Sequence, residues 1–187
     1  MDAIEAGAVL ARARQGDSDA FRVLVERHSR SVFRLAFRMT GNEQDAEDVV
    51  QESFLRAFRQ LGRFESRANF GTWLYRIVAN CSVDLMRSRQ ARQNQSRVDS
   101  LDELEADPAP ADGPTPERLA HSAEIGTRVA AALTGLSPLE RAAFTLRHYE
   151  GRSIDEISRT LGLRTSATKH SVFRAVRKLR IALAELK

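Results

Sequence analysis

The sequence predicts an all-α protein of two small helical domains joined by a flexible, acidic linker. Apolar residues recur at spacings of three and four, which is the helical period, and no useful stretch alternates apolar and polar residues as a strand would. Charge is also sorted into blocks: five acids and no base stand between residues 43 and 52, and eight bases against two acids between residues 152 and 180. The chain has 187 residues, enough for one domain or two small ones.

Composition excludes several classes of protein. Apolar residues make up 42% and charged residues 29%, which is ordinary for a globular protein and too apolar for wholesale disorder. The single cysteine, Cys81, cannot form an internal disulfide or a cysteine metal cluster, so a reduced, cytoplasmic setting fits best. We expect no signal peptide and no membrane insertion, since no apolar run approaches about 18 residues. The net charge of +4 alone gives only a weak indication of polyanion binding.

Residues 1–89 are predicted to form a first domain whose helices share one core. A terminal helix covers about residues 4–14. The second helix carries an apolar stripe from Phe21 to Met39 and stops at Gly41, because glycine accepts the left-handed conformation that ends many helices.

Two further helices complete this predicted domain. The third follows directly after Asn42 and runs to about Leu61, with an apolar stripe that includes Val49 and Phe54. The fourth begins near Phe70 and ends near residue 89. Its predicted buried residues are Phe70, Trp73, Leu74, Ile77, Val78, Cys81 and Leu85.

Residues 90–114 are predicted to form the flexible linker. Three of the five prolines fall here, and seven acids without a base stand between residues 98 and 117. Such a composition cannot bury enough apolar surface to offset chain entropy. The acidity suits either a mimic of nucleic acid or a repulsive spacer, and the sequence leaves both readings open.

Residues 115–187 are predicted to form the second helical domain. A Thr-Pro-Glu run opens its first helix. Ser137 and Ser153 each begin a capping box, because a glutamate follows three residues later and can bond back to the serine. Gly162 turns the chain, and Thr165 is predicted to cap the last helix.

The segment from Ser153 to Lys178 has the pattern of a helix-turn-helix, whose second helix enters the major groove of DNA. Spacings of three and four place polar, basic and aromatic side chains along one side of that second helix. These candidates for phosphate and base contacts are Ser166, Lys169, His170, Phe173, Arg174 and Arg177. A merely solvated basic helix is the alternative.

A loop at residues 64–70 combines aromatic and arginine side chains, which could stack on and clamp unpaired bases. Core packing is the alternative, and it suits Phe70 and Trp73 better because both lie on the buried stripe. Asn80 could contact a base edge or be solvated. The loop residues that are not expected to pack in the core are Glu65, Ser66, Arg67, Ala68 and Asn69.

The acids Asp45, Asp48 and Glu52 are predicted to lie on the helix face opposite Val49 and Val50, so a metal or catalytic site has to be considered. Acids in the first turns of a helix are stabilised by its dipole, and no His or Cys stands nearby to complete a ligand set. The sequence holds no glycine-rich phosphate loop and no nucleophile motif. We expect no catalytic residue, no metal and no cofactor.

Two runs of the first domain closely resemble region 2 of the extracytoplasmic-function (ECF) bacterial sigma factors: DAEDVVQESF at residues 45–54 and FGTWLYRIVAN at residues 70–80. The run LSPLER at residues 136–141 and the helix-turn-helix resemble their region 4. The resemblance covers almost the whole chain apart from the linker. It implies a factor that binds core RNA polymerase, recognises promoter DNA and promotes strand opening, under the control of a separate anti-sigma protein.

The resemblance also implies roles for three sets of residues. The set that meets core polymerase is Asp45, Asp48, Gln51, Glu52 and Leu55. The set that captures unpaired bases of the minus-ten element is Phe64, Glu65, Ser66, Arg67, Ala68, Asn69 and Phe70 with Arg76, Asn80, Asp84 and Arg87. The reader of the minus-thirty-five element adds Arg164, Thr165 and Ser171 to the six side chains named above. Members commonly read GTVKSR where this chain reads SATKHS, so Ser171 replaces a usual arginine.

Three hypotheses follow: a sigma factor, a stand-alone helix-turn-helix regulator, and a nucleic-acid enzyme that uses the acids of residues 43–52. The first two share the C-terminal domain and differ in the first domain. An operator-binding regulator has no need of an acidic helix beside an aromatic loop, so the sequence favours the sigma factor.

Overall fold

The computed structural model describes residues 3–64, 69–99, 129 and 131–184. In these ranges every regular element is helical and no strand occurs, which confirms the all-α prediction. Contacts divide the chain into two units, Met1–Ser82 and Val83–Lys187. The limits of the two domains given above stay a prediction.

The first unit contains α1 (Ala3–Arg14), α2 (Ser18–Thr40), α3 (Glu43–Gln60) and the beginning of α4 (Phe70–Asp99). A short 3-10 turn, Leu61–Arg63, follows α3. These bounds match the predicted ones closely, except that α4 continues to Asp99. The first residues of the predicted linker are therefore helical.

The remainder of the predicted linker and the helix predicted to open with Thr-Pro-Glu fall mainly on residues 100–128, which lie outside the described residues. In the helical part, the side chains of residues 91–95 are all exposed. This exposure agrees with a composition that offers no apolar face for packing.

Local contacts fix the ends of α2 and α3. The Asp17 side chain accepts a hydrogen bond from the backbone N–H of Ala20 at 2.9 Å where α2 begins. Gly41 takes a φ of 87° where α2 ends, a conformation that favours glycine. The Asn42 side chain then accepts from the N–H of Asp45 at 2.8 Å. The short capped connection lets α2 and α3 pack side by side.

The core of the first unit comes from the apolar faces of α2, α3 and α4. Its members include fully buried aliphatic side chains from each of them, so the predicted stripes are largely confirmed. These are Val32, Leu35, Ala36 and Met39 on α2, Ala46, Val49 and Ala57 on α3, and Leu74, Val78 and Ala79 on α4. Val50, Trp73 and Ile77 are only half-buried.

The second unit contains three further helices, α5 (Pro138–Phe144), α6 (Ile154–Leu161) and α7 (Thr165–Ala182). A π-helical turn, Thr145–Tyr149, continues α5. Residues 131–134 are also helical. The lengths of α5 and α6 leave little intrinsic helix stability, so their end contacts matter.

Both predicted capping boxes are present. The N–H of Ser137 donates to the Glu140 carboxylate at 2.9 Å, and the N–H of Glu140 donates to the Ser137 hydroxyl at 3.4 Å. Ser153 and Glu156 form the same reciprocal pair at 2.8 and 3.2 Å. Each box satisfies backbone donors that the first helical turn otherwise leaves without partners.

The predicted cap of the last helix is wrong. Thr165 is the first residue of α7, and the N-cap is Arg164, whose side chain forms no capping bond. The carbonyl oxygen of Arg164 already accepts from the N–H of Thr168 at 3.0 Å, so the helical pattern begins one residue earlier than expected. Gly162, at a φ of 64°, ends α6 and turns the chain as predicted.

A small apolar cluster holds α7 in the second unit. Leu133 and Leu136 pack with Ala175 and Leu179, all less than 9% exposed. Phe144 of α5 lies at the edge of the cluster. One face of α7 is therefore committed to the core, and most side chains on its other sides are exposed.

Candidate polymerase and nucleic-acid interfaces

Helix α3 presents acidic, polar and apolar side chains on one side. Asp48 and Gln51 are exposed, and Leu55 keeps 44% of its surface accessible. Because residues 48, 51, 52 and 55 are three or four apart, they share a face of the helix. Glu52 lies on this face and accepts a hydrogen bond from Arg56 Nε at 2.6 Å, which orients its carboxylate.

Asp45 does not lie on this face, which corrects the prediction of three solvent-facing acids. It is only 2% exposed. Asn42 Nδ2 donates to its carboxylate at 2.8 Å, in addition to the capping bond between the same two residues. Helical side chains tilt towards the N-terminus, so an acid in the first turn reaches back to the cap. Asp45 therefore fixes the start of α3.

Phe58 extends the same face, although it was not among the predicted contact residues. Its ring keeps 46% of its surface exposed while packing edge-on against Phe21 at a centroid distance of 4.9 Å. The available signal was spacing, because Phe58 lies three residues after Leu55 and seven after Gln51. Adjacent exposed apolar side chains beside acids are typical of a protein interface rather than a phosphate-binding surface.

The aromatic residues of the predicted base-binding loop are buried. Phe64 and Phe70 are 3% and 7% exposed. Their rings contact each other at 6.1 Å, and Trp73 lies 5.0 and 5.7 Å from them, measured between centroids. The structure thus follows the core-packing alternative for both phenylalanines, because an aromatic cluster buries much apolar area. Between them, Glu65, Ser66, Arg67 and Ala68 lie outside the described residues.

Asn69 and His28 support the start of α4. Asn69 is exposed, and its side-chain oxygen accepts from the N–H of Gly71 at 2.8 Å. The His28 ring packs on Phe70 at 5.3 Å. A Cβ on Gly71 would lie 3.2 Å from Asn69 Oδ1, which is closer than most such contacts, so the glycine leaves room for the Asn69 side chain. Burial lowers the pKa of His28, and the charge of Arg27 adds to the effect.

Four residues predicted to contact the minus-ten element lie along one side of α4. Arg76, Asn80, Asp84 and Arg87 are three or four residues apart. Asn80 is half-buried and the other three are exposed. This side offers guanidinium donors, an amide and a carboxylate, which are the groups that hydrogen-bond to base edges and phosphates.

Helices α6 and α7 form the predicted helix-turn-helix, and a buried hydroxyl pair joins them. The Ser158 hydroxyl donates to Thr168 Oγ1 at 2.9 Å, and the Thr168 hydroxyl donates to the carbonyl oxygen of Arg164 at 3.2 Å. Thr168 is fully buried. Its burial was not predicted, although its spacing of seven from Ala175 places it on the apolar stripe.

The side of α7 that is predicted to contact DNA is exposed. Phe173 is 67% exposed, which is a large fraction for an aromatic side chain. No acid occurs in α7, so the charge on this surface is uniformly basic. Ser171 is half-buried. The exposed members of the predicted set are Arg164, Thr165, Ser166, Lys169, His170, Phe173, Arg174 and Arg177.

An ion pair fixes α7 against α5. Lys178 Nζ lies 2.7 Å from Glu140 Oε2, and the glutamate side chain is 8% exposed. Burial raises the pKa of Glu140, but the hydrogen bonds from Lys178 and the N–H of Ser137 outweigh it, so the pKa lies below its ordinary value of 4.5. One carboxylate therefore closes a capping box and positions α7.

The described ranges contain no group of three or more His, Cys, Asp or Glu side chains arranged to hold a metal ion. No helix in the same ranges combines the length and apolarity that crossing a membrane requires.

Two family models match this chain, Sigma-70 region 2 over residues 24–92 and Sigma-70 region 4 over residues 127–179. The RNA polymerase sigma-H factor of Pseudomonas aeruginosa is 34% identical over 177 residues, or 94% of this chain and 92% of that protein. The ECF RNA polymerase sigma-E factor of Escherichia coli is 33% identical over 88% of this chain and 86% of its own length. This chain belongs to the ECF sigma factor family.

One further relative and two solved structures show the same likeness. The factor SigE of Mycolicibacterium smegmatis is 38% identical over 87% of this chain, which spans 61% of that relative's length. Sigma factor RpoE of Bartonella quintana, solved with the anti-sigma factor NepR, shares the fold at a TM-score of 0.65 and 24% identity, covering 88% of this chain and 96% of that one. CnrH, solved with the cytosolic domain of CnrY, has a TM-score of 0.61 at 28% identity, covering 95% and 96%.

Proposed function

We propose that this ECF sigma factor binds core RNA polymerase, directs it to promoter DNA and promotes strand opening. It acts as a binding factor and not as an enzyme, and it works in the cytoplasm, where polymerase and promoters are found. The observation that carries the proposal is the segregation of two surfaces. An acidic and apolar face lies on α3 in the first unit, and an acid-free basic face lies on α7 in the second.

The face of α3 is the proposed contact with core polymerase. Asp48 and Glu52 supply negative charge, while Leu55 and Phe58 supply apolar area at its edge. A basic protein surface with an apolar patch is complementary to this combination. Asp45 contributes indirectly, because it holds the first turn of α3 in place.

The side of α4 with Arg76, Asn80, Asp84 and Arg87 is the proposed contact with the melted minus-ten strand. The aromatic cluster around Trp73 supports this proposal as an anchor, since its buried phenylalanine rings are not available to stack on bases. Its rings anchor both ends of the segment between Phe64 and Asn69, from which Glu65, Ser66, Arg67 and Ala68 would reach the unpaired bases. Bases taken out of a duplex need such contacts to offset the stacking that they give up.

The exposed side of α7 is the proposed reader of the duplex minus-thirty-five element. Lys169, Arg174 and Arg177 suit phosphates, and Ser166 and His170 near the start of the helix suit base edges. Ser171 is half-buried, and its short side chain extends less far towards DNA than the arginine that is common at this position. The proposed domains are residues 1–89 for polymerase and minus-ten binding, 90–114 for the linker, and 115–187 for minus-thirty-five binding.

A separate anti-sigma protein is the proposed regulator. Two solved proteins that share this fold are complexes, the sigma factor RpoE with the anti-sigma factor NepR and CnrH with the cytosolic domain of CnrY. The exposed apolar side chains Leu55, Phe58 and Phe173 offer contact area to a regulator that competes with polymerase and DNA.

The decisive experiment is assembly with core RNA polymerase. Asp48→Arg with Glu52→Arg should abolish binding, because the reversed charges repel a basic partner surface. Asp19→Arg with Glu26→Arg is the matched control, since it makes the same charge change at exposed positions of α2. The control should bind like the wild type, and circular dichroism should show all three proteins folded.

Wild-type affinity in the Asp48 and Glu52 variant would refute the assigned face. If the wild-type chain bound operator DNA without any affinity for core polymerase, the stand-alone regulator would be the correct function. Promoter-specific initiation by the assembled holoenzyme is the positive result.

A further inference from the structure

Helix α2 carries a straight row of arginines that the proposed function does not use. Arg27, Arg30, Arg34 and Arg38 are three or four residues apart, so they share one side of the helix, and all four are exposed. At the helical rise this arginine row is about 16 Å long. No acid occurs between residues 27 and 42 of the sequence.

Charge is compensated at the beginning of α2 but not in the middle of the row. Arg22 lies 3.7 Å from Asp19 and 3.9 Å from Glu26. Within the ranges that the structure describes, neither Arg30 nor Arg34 has an acidic side chain within 4.0 Å. A purely solvated helix gains stability from internal pairs such as those of Arg22, so the lack of an acidic partner at Arg30 and Arg34 among the described residues points to an outside partner.

The row belongs to the helix that supports the start of α4. The His28 ring packs on Phe70 at 5.3 Å, and the Tyr75 hydroxyl donates to the carbonyl oxygen of Ser31 at 3.5 Å. These contacts join the middle of α2 to the turn that precedes Arg76. The helix bearing the row is therefore a direct neighbour of the proposed minus-ten contact.

A row of exposed arginines is suited to bind a polyanion. The polymerase surface that accepts the acidic face of α3 must be basic, and such a surface would repel the row. A melted strand still carries one negatively charged phosphate for each nucleotide, so a row of four cations about 16 Å long can meet several successive phosphates. Guanidinium groups bind phosphate oxygens through paired donors.

We infer that the arginine row binds the phosphate backbone of the same promoter strand whose unpaired bases the first unit captures. This inference rests on the proposed function. The row supplies affinity and orientation without reading sequence, because phosphates carry no sequence information directly. Base preference comes from α4 and the preceding segment.

The test uses holoenzyme and a bubble duplex, built on a promoter that the wild-type holoenzyme footprints, with its minus-ten region held open by mismatches. Arg30→Ala with Arg34→Ala removes the two arginines that have no acidic partner among the described residues. Arg12→Ala with Arg22→Ala is the matched control, since it removes two exposed arginines that are paired with acids. Arg30→Lys with Arg34→Lys keeps the charge. Affinity is measured at several salt concentrations.

The Arg30 and Arg34 alanine variant should flatten the log-log salt dependence. The expected change is about 0.7 for each single-strand phosphate that is no longer neutralised, hence about 1.4 for two. The reduction in affinity should be equal for bubbles with altered minus-ten sequences. The lysine variant should recover most of the slope, and the control should keep all of it. Since these side chains are exposed, all variants should give the wild-type circular dichroism spectrum.

Unchanged affinity and slope would overturn the inference and leave the row as a solvated surface. Weaker assembly with core polymerase at an unchanged DNA salt slope would overturn it in favour of a protein contact. An equal reduction on a fully paired duplex would overturn the assignment to the melted strand. If the wild-type chain formed no holoenzyme, the proposed function itself would fail, and this inference with it.

Discussion

The two units hold their proposed DNA-facing helices in place by different means. In the first unit, α2 and α3 are 23 and 18 residues long and share a broad aliphatic core with α4. In the second, α5 and α6 have only 7 and 8 residues, and α7 is fixed by a small apolar cluster and a few polar contacts. The helices of the second unit are held in position largely by two capping boxes, a hydroxyl pair and one ion pair. In the first unit, buried apolar area has this role.

Because of this difference, we expect substitutions at the contact residues of the first unit to change binding without changing stability. In the second unit, we expect substitutions of the positioning groups to change both. On α3 and α4 the proposed contact residues are mostly remote from the core, so replacing them should leave the fold unchanged. Near α7, the polar groups that position the helix are few and partly buried. Replacing one of them should lower both the free energy of unfolding and the affinity for DNA.

The largest effect is expected where the first unit depends on apolar area. Leu74→Ala removes a fully buried side chain of α4 and should lower the free energy of unfolding by about 2–5 kcal/mol. Arg76→Ala, two residues along the same helix and exposed, should stay within about 0.5 kcal/mol. Urea denaturation followed by circular dichroism measures both. Equal stability of the two variants would contradict the assigned core.

The ion pair of the second unit should show itself as a pH dependence. The pKa of Glu140 is lower in the folded protein than its ordinary 4.5. Its ionisation therefore contributes stability above the unfolded pKa, and this is lost as pH falls through the folded value. Glu140→Gln should cost about 1–2 kcal/mol at neutral pH, and the gap to the wild type should close in acid.

Denaturation at neutral pH and below pH 4.5 tests this, with Glu156→Gln as the control. Glu156 closes the equivalent capping box, but its cation is Arg152, only four residues away and 3.5 Å distant. Its replacement should cost less, because a local exposed pair contributes little. A gap for Glu140→Gln that stayed constant with pH would rule out the ion pair as the cause.

A smaller effect is expected at the hydroxyl pair. Thr168→Val should lower the free energy of unfolding by about 0.5–1.5 kcal/mol, since Ser158 keeps a second acceptor, the carbonyl oxygen of Ile154 at 2.8 Å. Duplex affinity should fall as well, because α7 is no longer tied to α6. Thr168→Ser should restore both quantities. Normal DNA affinity in the valine variant would show that packing alone orients α7.

The smallest change in stability is expected for substitutions on the side of α7 that is proposed to contact duplex DNA. Lys169→Ala and Arg174→Ala should each alter the free energy of unfolding by less than about 0.5 kcal/mol, since both side chains are exposed. Each should flatten the salt dependence of duplex binding by about 0.9 if it contacts a phosphate. Titrations of the full-length chain at several salt concentrations measure this. Two unchanged slopes would mean that this side is only solvated.

The sequence was sufficient for helix ends that depend on local signals. Ser137 and Ser153 form the predicted caps, α3 begins directly after Asn42, and Gly41 and Gly162 end their helices, because each signal acts within a few residues. The exposed side of α7 followed from periodicity for the same reason. Such features require no knowledge of the tertiary structure.

Features that depend on a distant partner or on side-chain direction could not be predicted in this way. Asp45 shares its spacing with solvent-facing acids, but its side chain reaches back to the cap. Thr168 has the polarity of a surface residue and becomes a core residue only through Ser158, ten positions earlier. Phe64 belongs to a loop by its sequence, and only the rings of Phe70 and Trp73 beside it make it a core residue. Tertiary contact decided each case.

The aromatic cluster gives this protein an intrinsic optical probe. Trp73 is the only tryptophan in the chain, and its ring touches both Phe64 and Phe70, which flank residues 65–68. A DNA strand or regulator that engages this segment and moves those rings will change the polarity around the indole. The wavelength of tryptophan emission should therefore shift on engagement, so that strand capture can be followed in real time without a dye on the protein.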